Sequence, residues 1–339
     1  MTIAASHPGR TSLRLADGRE LIYFDDVSGL DRSTPDPRPL PPRDPRPELR
    51  HDPVYDEWIA VAAHRQTRTF LPAPDACPLC PGGPDSEIPA PGYHVVSFEN
   101  RFPSLGGPAG GRCEVVCFTD DHDSSFARLP ADRLPTVARA FADRTRELGA
   151  LPGVQEVFVF ENRGTEIGAT LQHPHGQIYA FPYLTPKTDR LLRVAERGCA
   201  FCAAAAREAE DERVVGRTEH FVAFVPRAAR WPYQVHIVPF AHVPDLPALD
   251  DARAAELMGL YADVLGRFER LFPDPAPYMA CWHQAPVSTG RDLAHLWIEV
   301  FSPRRAADKL KYLASVESGA GAFITDVLPE TAAARLRDA

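Results

Sequence analysis

No stretch of this 339-residue sequence is basic enough or apolar enough to announce a function by itself. Lys and Arg number 37 against 46 Asp and Glu, a formal charge of −9, and no Lys/Arg-rich tract stands out. That balance argues against a nucleic-acid-binding protein. No apolar run approaches the ~20 residues of a membrane span. The opening MTIAASHPGR has no apolar core of the kind a secretory leader needs. A cytoplasmic location with reduced cysteines is therefore expected. The length suggests about two domains.

Proline is abundant and concentrated: seven fall between Pro35 and Pro47, with Asp and Arg between them. This composition reads as an exposed polyproline-like arm. Before it, TSLRLADGRELIYFDD reads as a hairpin turning at Asp17-Gly18. After it, DEWIAVAAHRQTRTF reads as a strand followed by a basic turn with Arg65 and Arg68, and the terminal LPETAAARLRDA reads as a short helix.

The run His173-Pro174-His175-Gly176-Gln177 is the most informative feature. In an extended strand, residues two apart share a face. His173, His175 and Gln177 would then line one surface. Pro174 has no backbone donor, so an edge or irregular strand is expected here. Two imidazoles and a carboxamide aimed at one place can bind a metal, attack an electrophile or hold an anion.

An internal repeat gives that motif its context. Cys77-x-x-Cys80 recurs as Cys199-x-x-Cys202, and 96 positions separate Cys77 from His173 just as 96 separate Cys199 from His295. His122 and His242 fall between, at similar offsets. Helical segments are expected at 131–149 and 249–271, each leading to an apolar strand and the last histidine. The copies differ where His173-x-His175 becomes His295-x-Trp297. The shared residues read as scaffold, and the unshared His175 reads as chemistry.

Two cysteines at this spacing with two distant histidines make a tetrahedral zinc set. The expected ligands are Cys77, Cys80, His122 and His173 in the first copy, and Cys199, Cys202, His242 and His295 in the second, with His283 a rival. Four protein ligands make each a closed, structural site. A redox pair would need a strand-to-helix setting, whereas Cys77 sits among prolines and glycine. Cys113, Cys117 and Cys281 are expected to be buried thiols. The fold class is α+β: two tandem repeats of antiparallel sheet with packed helices. Phe158, Phe160, Ile178, Tyr179, Val222, Phe224, Val235, Ile237 and Val238 are expected in strands, and no aromatic residue is assigned to base stacking. The expected division is 1–55 (hairpin and Pro-rich arm), 56–187 (first copy) and 188–339 (second copy).

The string FENRG…HPHGQIYAFPYL, preceded by Cys77-x-x-Cys80 and Asp121-His122, resembles the galactose-1-phosphate uridylyltransferases, the two-copy branch of the histidine-triad superfamily. The resemblance runs from about Asp52 to the C-terminus. It implies transfer of UMP from UDP-glucose to galactose 1-phosphate. His175 is the implied nucleophile, with a main-chain carbonyl of the motif holding its other nitrogen, and Gln177 holds the phosphoryl oxygens. Gln stands where histidine-triad hydrolases place a third His, which implies transfer rather than hydrolysis. Asn162, Gly168 and Thr170 match phosphate contacts, and Asn100 matches a uracil contact. Arg65 and Arg68 match arginines that relatives supply from a partner subunit, which implies a homodimer. Lys311 and Glu317 match hexose contacts. Three departures stand out: Arg101 replaces the usual ribose-contacting Asp, the acidic and paired-His ligands of an iron site are missing near Leu191 and in HLWIEVFSP, and Val316 replaces a sugar-contacting Tyr. The ESGAGAFI segment is similar to the ADP-glucose phosphorylases, so adenylyl transfer is the alternative. A non-catalytic, zinc-stabilised nucleotide-binding module is the third reading.

Overall fold

Alternating burial first shapes the chain as a hairpin. Strand β1 (Arg10–Arg14) pairs antiparallel with β2 (Glu20–Phe24), and Gly18 takes φ 86° in the turn between them. In the computed structural model, residues 9–41, 46–67 and 71–339 are described. The chain divides into two compact units. The first comprises 1–159, 170–190 and 286–291; the second comprises 160–169, 191–285 and 292–339.

The first unit continues with a small separate hairpin, β3 (Glu48–Asp52) and β4 (Glu57–Val61). Then come β5 (Val95–Glu99), β6 (Arg112–Cys117), helix α1 (Leu134–Gly149), β7 (Glu156–Arg163), β8 (His175–Phe181) and α2 (Pro186–Ala195). The unit boundaries fall inside β7 and α2. Its sheet has the order β1-β2-β5-β6-β8-β7. Strand β6 is buried along nearly its whole length, as an interior strand with both faces covered must be. Strand β8 instead alternates: Gly176, Ile178 and Ala180 are buried, while His175, Gln177, Tyr179 and Phe181 lie on the half-open face.

Helix α1 buries Val137, Ala138, Phe141 and Leu148, with Phe118 edge-on to both Phe126 and Phe141. Fully burying one such aromatic contributes roughly 1.5–3 kcal/mol. Arg144 of α1 reaches the buried Glu114 of β6 with Nε at 2.8 Å and Nη2 at 3.1 Å, so a paired charge fixes the helix on the sheet.

The second unit holds α3 (Ala200–Glu208), β9 (Val214–Arg217), β10 (Phe221–Phe224), β11 (Tyr233–Pro239), α4 (Asp251–Arg270), β12 (Tyr278–His283) and β13 (Trp297–Ser302). A short pair β14 (Arg304–Ala306) and β15 (Lys309–Leu310), then α5 (Ser315–Ala320) and α6 (Pro329–Asp338), complete it. Helix α4 is capped by Asp250, whose Oδ1 accepts from Arg253 N at 2.8 Å. Its buried Leu257, Met258, Tyr261, Val264, Leu265 and Phe268 recur at helical spacing. The sheet order is β12-β13-β11-β10-β9. The segment β5-β6-β8-β7 with α1 between β6 and β7 matches β10-β11-β13-β12 with α4 between β11 and β12. The duplication read from the cysteine and histidine spacing is thus a duplication of topology, and the fold is α+β as expected.

Several details differ from the sequence reading. Strand β8 is interior, between β6 and β8's other neighbour β7, rather than an edge. Pro174 causes no conflict because the strand begins one residue after it, and Pro174 O accepts from Phe118 N at 3.4 Å. The first repeat's helix starts at Leu134 rather than at 131, with Pro135 in its first turn. Helices α2 and α3 were not anticipated. The described part of the Pro-rich arm exposes Pro35, Pro37, Pro39 and Pro41 but buries Pro47, and it is anchored by two buried arginines: Arg32 on Asp25, and Arg38 on Asp36 and Glu87. Residues 42–45 lie outside the described part. Cys113 and Cys117 are buried as expected, whereas Cys281 is half-buried. Among the described residues, no helix is long and apolar enough to cross a membrane.

Candidate active site and metal centres

Each copy assembles two thiols and two imidazoles. The ligand atoms of Cys77, Cys80, His122 and His173 all lie within 4.8 Å of one another, as do those of Cys199, Cys202, His242 and His295. In the first cluster Cys80 Sγ is 3.4 Å from His122 Nδ1 and 3.6 Å from His173 Nδ1. In the second, His295 Nδ1 is 3.3 Å from Cys199 Sγ and 3.4 Å from Cys202 Sγ, and His242 Nδ1 is 3.5 Å from Cys202 Sγ. A tetrahedral ion with bonds of about 2.0–2.3 Å spaces its donors about 3.5 Å apart, so both clusters can hold a metal.

Outer contacts set the tautomers as metal ligands require. His173 Nε2 lies 2.8 Å from Thr119 O and 2.7 Å from Tyr93 Oη, and Tyr93 donates onward to Leu79 O at 3.0 Å. His295 Nε2 lies 3.2 Å from Pro239 O. Nε2 thus carries the hydrogen in each case and Nδ1 faces the thiols. Burial and the neighbouring imidazoles lower both histidines to about 4, which keeps them neutral and able to ligate. Burial, reinforced by Cys77, pushes the Cys80 thiol up to about 12; burial and Cys199 push Cys202 to about 11. A dication would reverse that preference for the protonated thiol.

The two pairs arrive differently. Cys77 and Cys80 sit in a turn, with Cys80 N bonded to Cys77 O at 3.3 Å. Cys199 is the N-cap of α3, and its Sγ accepts from Cys202 N at 3.4 Å. His283 does not join the second cluster. It stacks on Trp297 at 4.2 Å and faces Glu299, with Nε2 3.5 Å from Oε2.

His173 and His175 part company, contrary to the one-surface expectation. His173 precedes β8, is 1% exposed and belongs to the metal cluster. His175 opens β8 and lines a pocket of the first unit with Arg65, Asn100, Thr170 and Gln177. Pro78, Leu79, Phe98, Phe102, Val115 and Leu171 provide its apolar walls, and Glu87 and Arg101 are its other charged residues. A row of paired residues, Gln177 on β8, Val115 on β6 and Phe98 on β5, crosses the pocket floor. Two strand spacings of about 4.8 Å make that row about 10 Å long.

His175 Nδ1 lies 2.8 Å from His173 O. An imidazole whose Nδ1–H is held by a carbonyl carries its lone pair on Nε2. Tyr179 Oη donates to Gln177 Oε1 at 3.4 Å and accepts from Arg65 Nη1 at 3.3 Å. That contact engages the oxygen of the Gln177 amide and turns its two N–H donors elsewhere. Arg65 Nη1 also donates to Phe102 O at 3.1 Å. Arg65, which the resemblance places across a dimer interface, therefore reaches the pocket of its own chain. Arg68 lies outside the described residues. Asn100 Oδ1 accepts from Phe102 N at 2.8 Å, a local turn that fixes the amide beside the pocket.

The remaining expected site residues belong to the second unit. Asn162 lies near the end of β7, and Gly168 closes a 3-10 turn (Thr165–Ile167) at φ 79°. Beside Asn162, the buried Glu161 accepts from Tyr278 Oη at 2.6 Å and Tyr261 Oη at 2.8 Å. Lys311 Nζ pairs with Glu317 at 2.7 Å and also donates to Ile324 O.

Comparison with known proteins places this geometry. A profile described as "Galactose-1-phosphate uridyl transferase, N-terminal domain" matches residues 106–185, and its C-terminal counterpart matches 195–339. A galactose-1-phosphate uridylyltransferase of Streptomyces lividans is 48% identical over 287 residues, 82% of this chain and 81% of that protein. The chain belongs to the galactose-1-phosphate uridylyltransferase family. A namesake from Thermotoga maritima is 40% identical over 316 residues, 86% of this chain and 98% of its own length. Among solved structures, a uridylyltransferase superposes with a TM-score of 0.76 at 31% identity, covering 86% of this chain and 97% of its own. Family members are nucleotidyltransferases, and the profile for the N-terminal domain spans His173 to Gln177.

Sequence reasoning missed Phe98, Phe102, Leu171 and Glu87 as pocket residues. Strand pairing could have found Phe98, since it lies across from Val115 on the same face. Glu87 sits in the aperiodic segment PGGPDSEIPAP, where no pattern marks it.

Proposed function

We propose that this enzyme moves a uridylyl group from UDP-glucose to galactose 1-phosphate through a covalent intermediate on His175. The observation that carries this reading is the 2.8 Å contact between His175 Nδ1 and His173 O at the mouth of a mixed polar and apolar pocket. It puts a lone pair on Nε2 without any deprotonation step.

In the first displacement the Nε2 lone pair forms a bond to the α-phosphorus. The bond from phosphorus to the bridging oxygen breaks, and glucose 1-phosphate leaves with that electron pair. In the second, a phosphate oxygen of galactose 1-phosphate attacks the same phosphorus, the N–P bond breaks, and its pair returns to Nε2. No proton is consumed or released, so no general acid is needed. That matches a carboxamide at Gln177, which can donate hydrogen bonds but cannot protonate a leaving group. Gln177, Arg65 and the Thr170 hydroxyl stabilise charge on the phosphoryl oxygens as it builds. Asn162 and Gly168 act on the phosphates, Asn100 on the uracil, and Lys311 with Glu317 on the hexose, as in the resemblance.

Both Cys/His clusters suit zinc, because thiolate and imidazole donors in a tetrahedron favour it. The ions are structural: with four protein ligands each, neither leaves a position for substrate. A homodimer belongs to this reading, and the hairpin β3–β4 exposes Val54, Tyr55, Trp58 and Ile59. So does a cytoplasmic setting, where thiols stay reduced.

The test is intact-protein mass spectrometry after adding UDP-glucose or ADP-glucose with no acceptor. One UMP gained from UDP-glucose, and none by His175→Gly, supports the reading. AMP gained from ADP-glucose alone would transfer the assignment to adenylyl chemistry. No adduct from either donor would favour a binding module without covalent catalysis.

A further inference from the structure

Resting on the uridylyl-transfer reading, we propose that Glu87 reads the ribose of the bound nucleotide, with one carboxylate oxygen accepting from the sugar's vicinal hydroxyls. Glu87 lines the pocket that holds His175, yet it is only 5% exposed. Its two oxygens have different surroundings. Oε2 is taken: Arg19 Nη2 donates to it at 2.5 Å, and Arg38 Nη1 lies 2.9 Å away. Oε1 has Arg101 Nη1 at 3.9 Å, beyond hydrogen-bond reach, and among the described residues no donor reaches it. A buried carboxylate held on one side and open on the other toward a pocket is an acceptor in waiting.

The holders are themselves fixed. Arg19 is clamped by Asp17 at 2.7 Å and donates to Glu99 O at 2.9 Å at the end of β5. Arg38 belongs to the Pro-rich arm and is tied to Asp36 at 2.8 Å. These contacts prevent Glu87 from turning away. They also explain why a charged group tolerates this burial: two guanidiniums compensate it.

Position points to the nucleoside rather than to the reacting phosphorus. The pocket floor runs from Gln177 on β8 over Val115 to Phe98 on β5, and Phe98 pairs with Leu21, two residues after Arg19. Glu87, bonded to Arg19, therefore belongs to the far end of a row about 10 Å long. A nucleotide with its phosphorus at His175 extends its nucleoside along that row. Of its groups, the ribose diol supplies the neutral donors that a fixed carboxylate oxygen selects, as carboxylates do for ribose in dinucleotide sites.

The experiment compares the rate of adduct formation on His175 with UDP-glucose and with its 2′-deoxy and 3′-deoxy counterparts. A hydrogen bond to a charged acceptor predicts that at least one deoxy donor reacts roughly 10- to 100-fold less efficiently with the unaltered enzyme. Glu87→Gln should bring the donors close together while UDP-glucose still labels the enzyme. Equal efficiency with all three donors in the unaltered enzyme overturns the proposal, whether or not the variant folds. So does a Glu87→Gln enzyme that keeps the full discrimination, since a merely structural Glu87 would alter stability and leave the ratio alone. Failure of UDP-glucose itself to label His175 overturns the transfer reading, a result distinct from equal labelling by all donors.

Discussion

Replacing Glu161 by Gln should flatten the pH dependence of stability by a calculable amount. Glu161 is fully enclosed in the second unit between Tyr261 of α4 and Tyr278 of β12, with Arg163 and Glu269 as its charged neighbours. Burial pushes its carboxyl up from 4.5 to about 7, more than the two tyrosine hydrogen bonds and Arg163 pull it down. A raised folded-state value means that the native protein binds the proton more tightly than the unfolded chain. The stabilisation is complete below about 4.5 and is lost as pH rises through about 7. A shift of about 2.5 units at about 1.36 kcal/mol each gives about 3 kcal/mol over that window. Gln keeps the shape and a donor but cannot titrate. Urea unfolding followed by tryptophan fluorescence at pH 5, 6, 7 and 8 measures the difference; Trp282 packs edge-on against Tyr261 at 5.1 Å and reports on this region. The unaltered protein should lose about 2.5 kcal/mol relative to Glu161→Gln between pH 5 and pH 8, the rest of the effect lying below pH 5. Parallel stability profiles for the two proteins would refute the reasoning.

His175→Gly should abolish turnover while the fold and both metal equivalents persist, because the imidazole lines the pocket and is not in the metal cluster; metal analysis and circular dichroism check this, and metal loss would contradict the separation of roles. Cys77→Ser should lose about one metal equivalent and much of the stability of the first unit, since removing a ligand from a closed site removes folding free energy. A full complement measured by atomic absorption would rule out that ligand set. Steady-state rates with UDP-glucose and galactose 1-phosphate both varied should give parallel double-reciprocal lines, as a covalent intermediate requires; intersecting lines would indicate direct transfer.

Much of the site was legible because its chemistry is concentrated in rare residue types at fixed spacing. The two metal clusters follow from 96-residue intervals between cysteine and histidine, and the topology repeats with them. His175, the proposed nucleophile, stood out because the second copy replaces it with Trp297. What the sequence concealed depends on where strands begin and which strands adjoin. Period-two reasoning put His173 and His175 on one face, but β8 starts only at His175, so the two imidazoles serve different sites. The placement of β8 inside the sheet is a tertiary fact with no local signature. Glu87 was invisible for a related reason: its partners Arg19 and Arg38 lie 68 and 49 positions away in sequence, in a hairpin and an arm that carry no motif. Arg65 was found as a residue, but composition cannot say whether a side chain reaches its own pocket or a neighbour's; here it lines the pocket of its own chain.

His173 contributes its ring to the metal cluster and its carbonyl to His175. The two copies therefore carry unequal mutational risk. A change at His295 removes a ligand from the second cluster, and the residue two positions on is Trp297 rather than a second histidine. On the uridylyl-transfer reading, a change at His173 endangers the first cluster and the aim of the proposed nucleophile in one stroke. The first copy has two jobs resting on one residue, and its tolerance for substitution is correspondingly the lower.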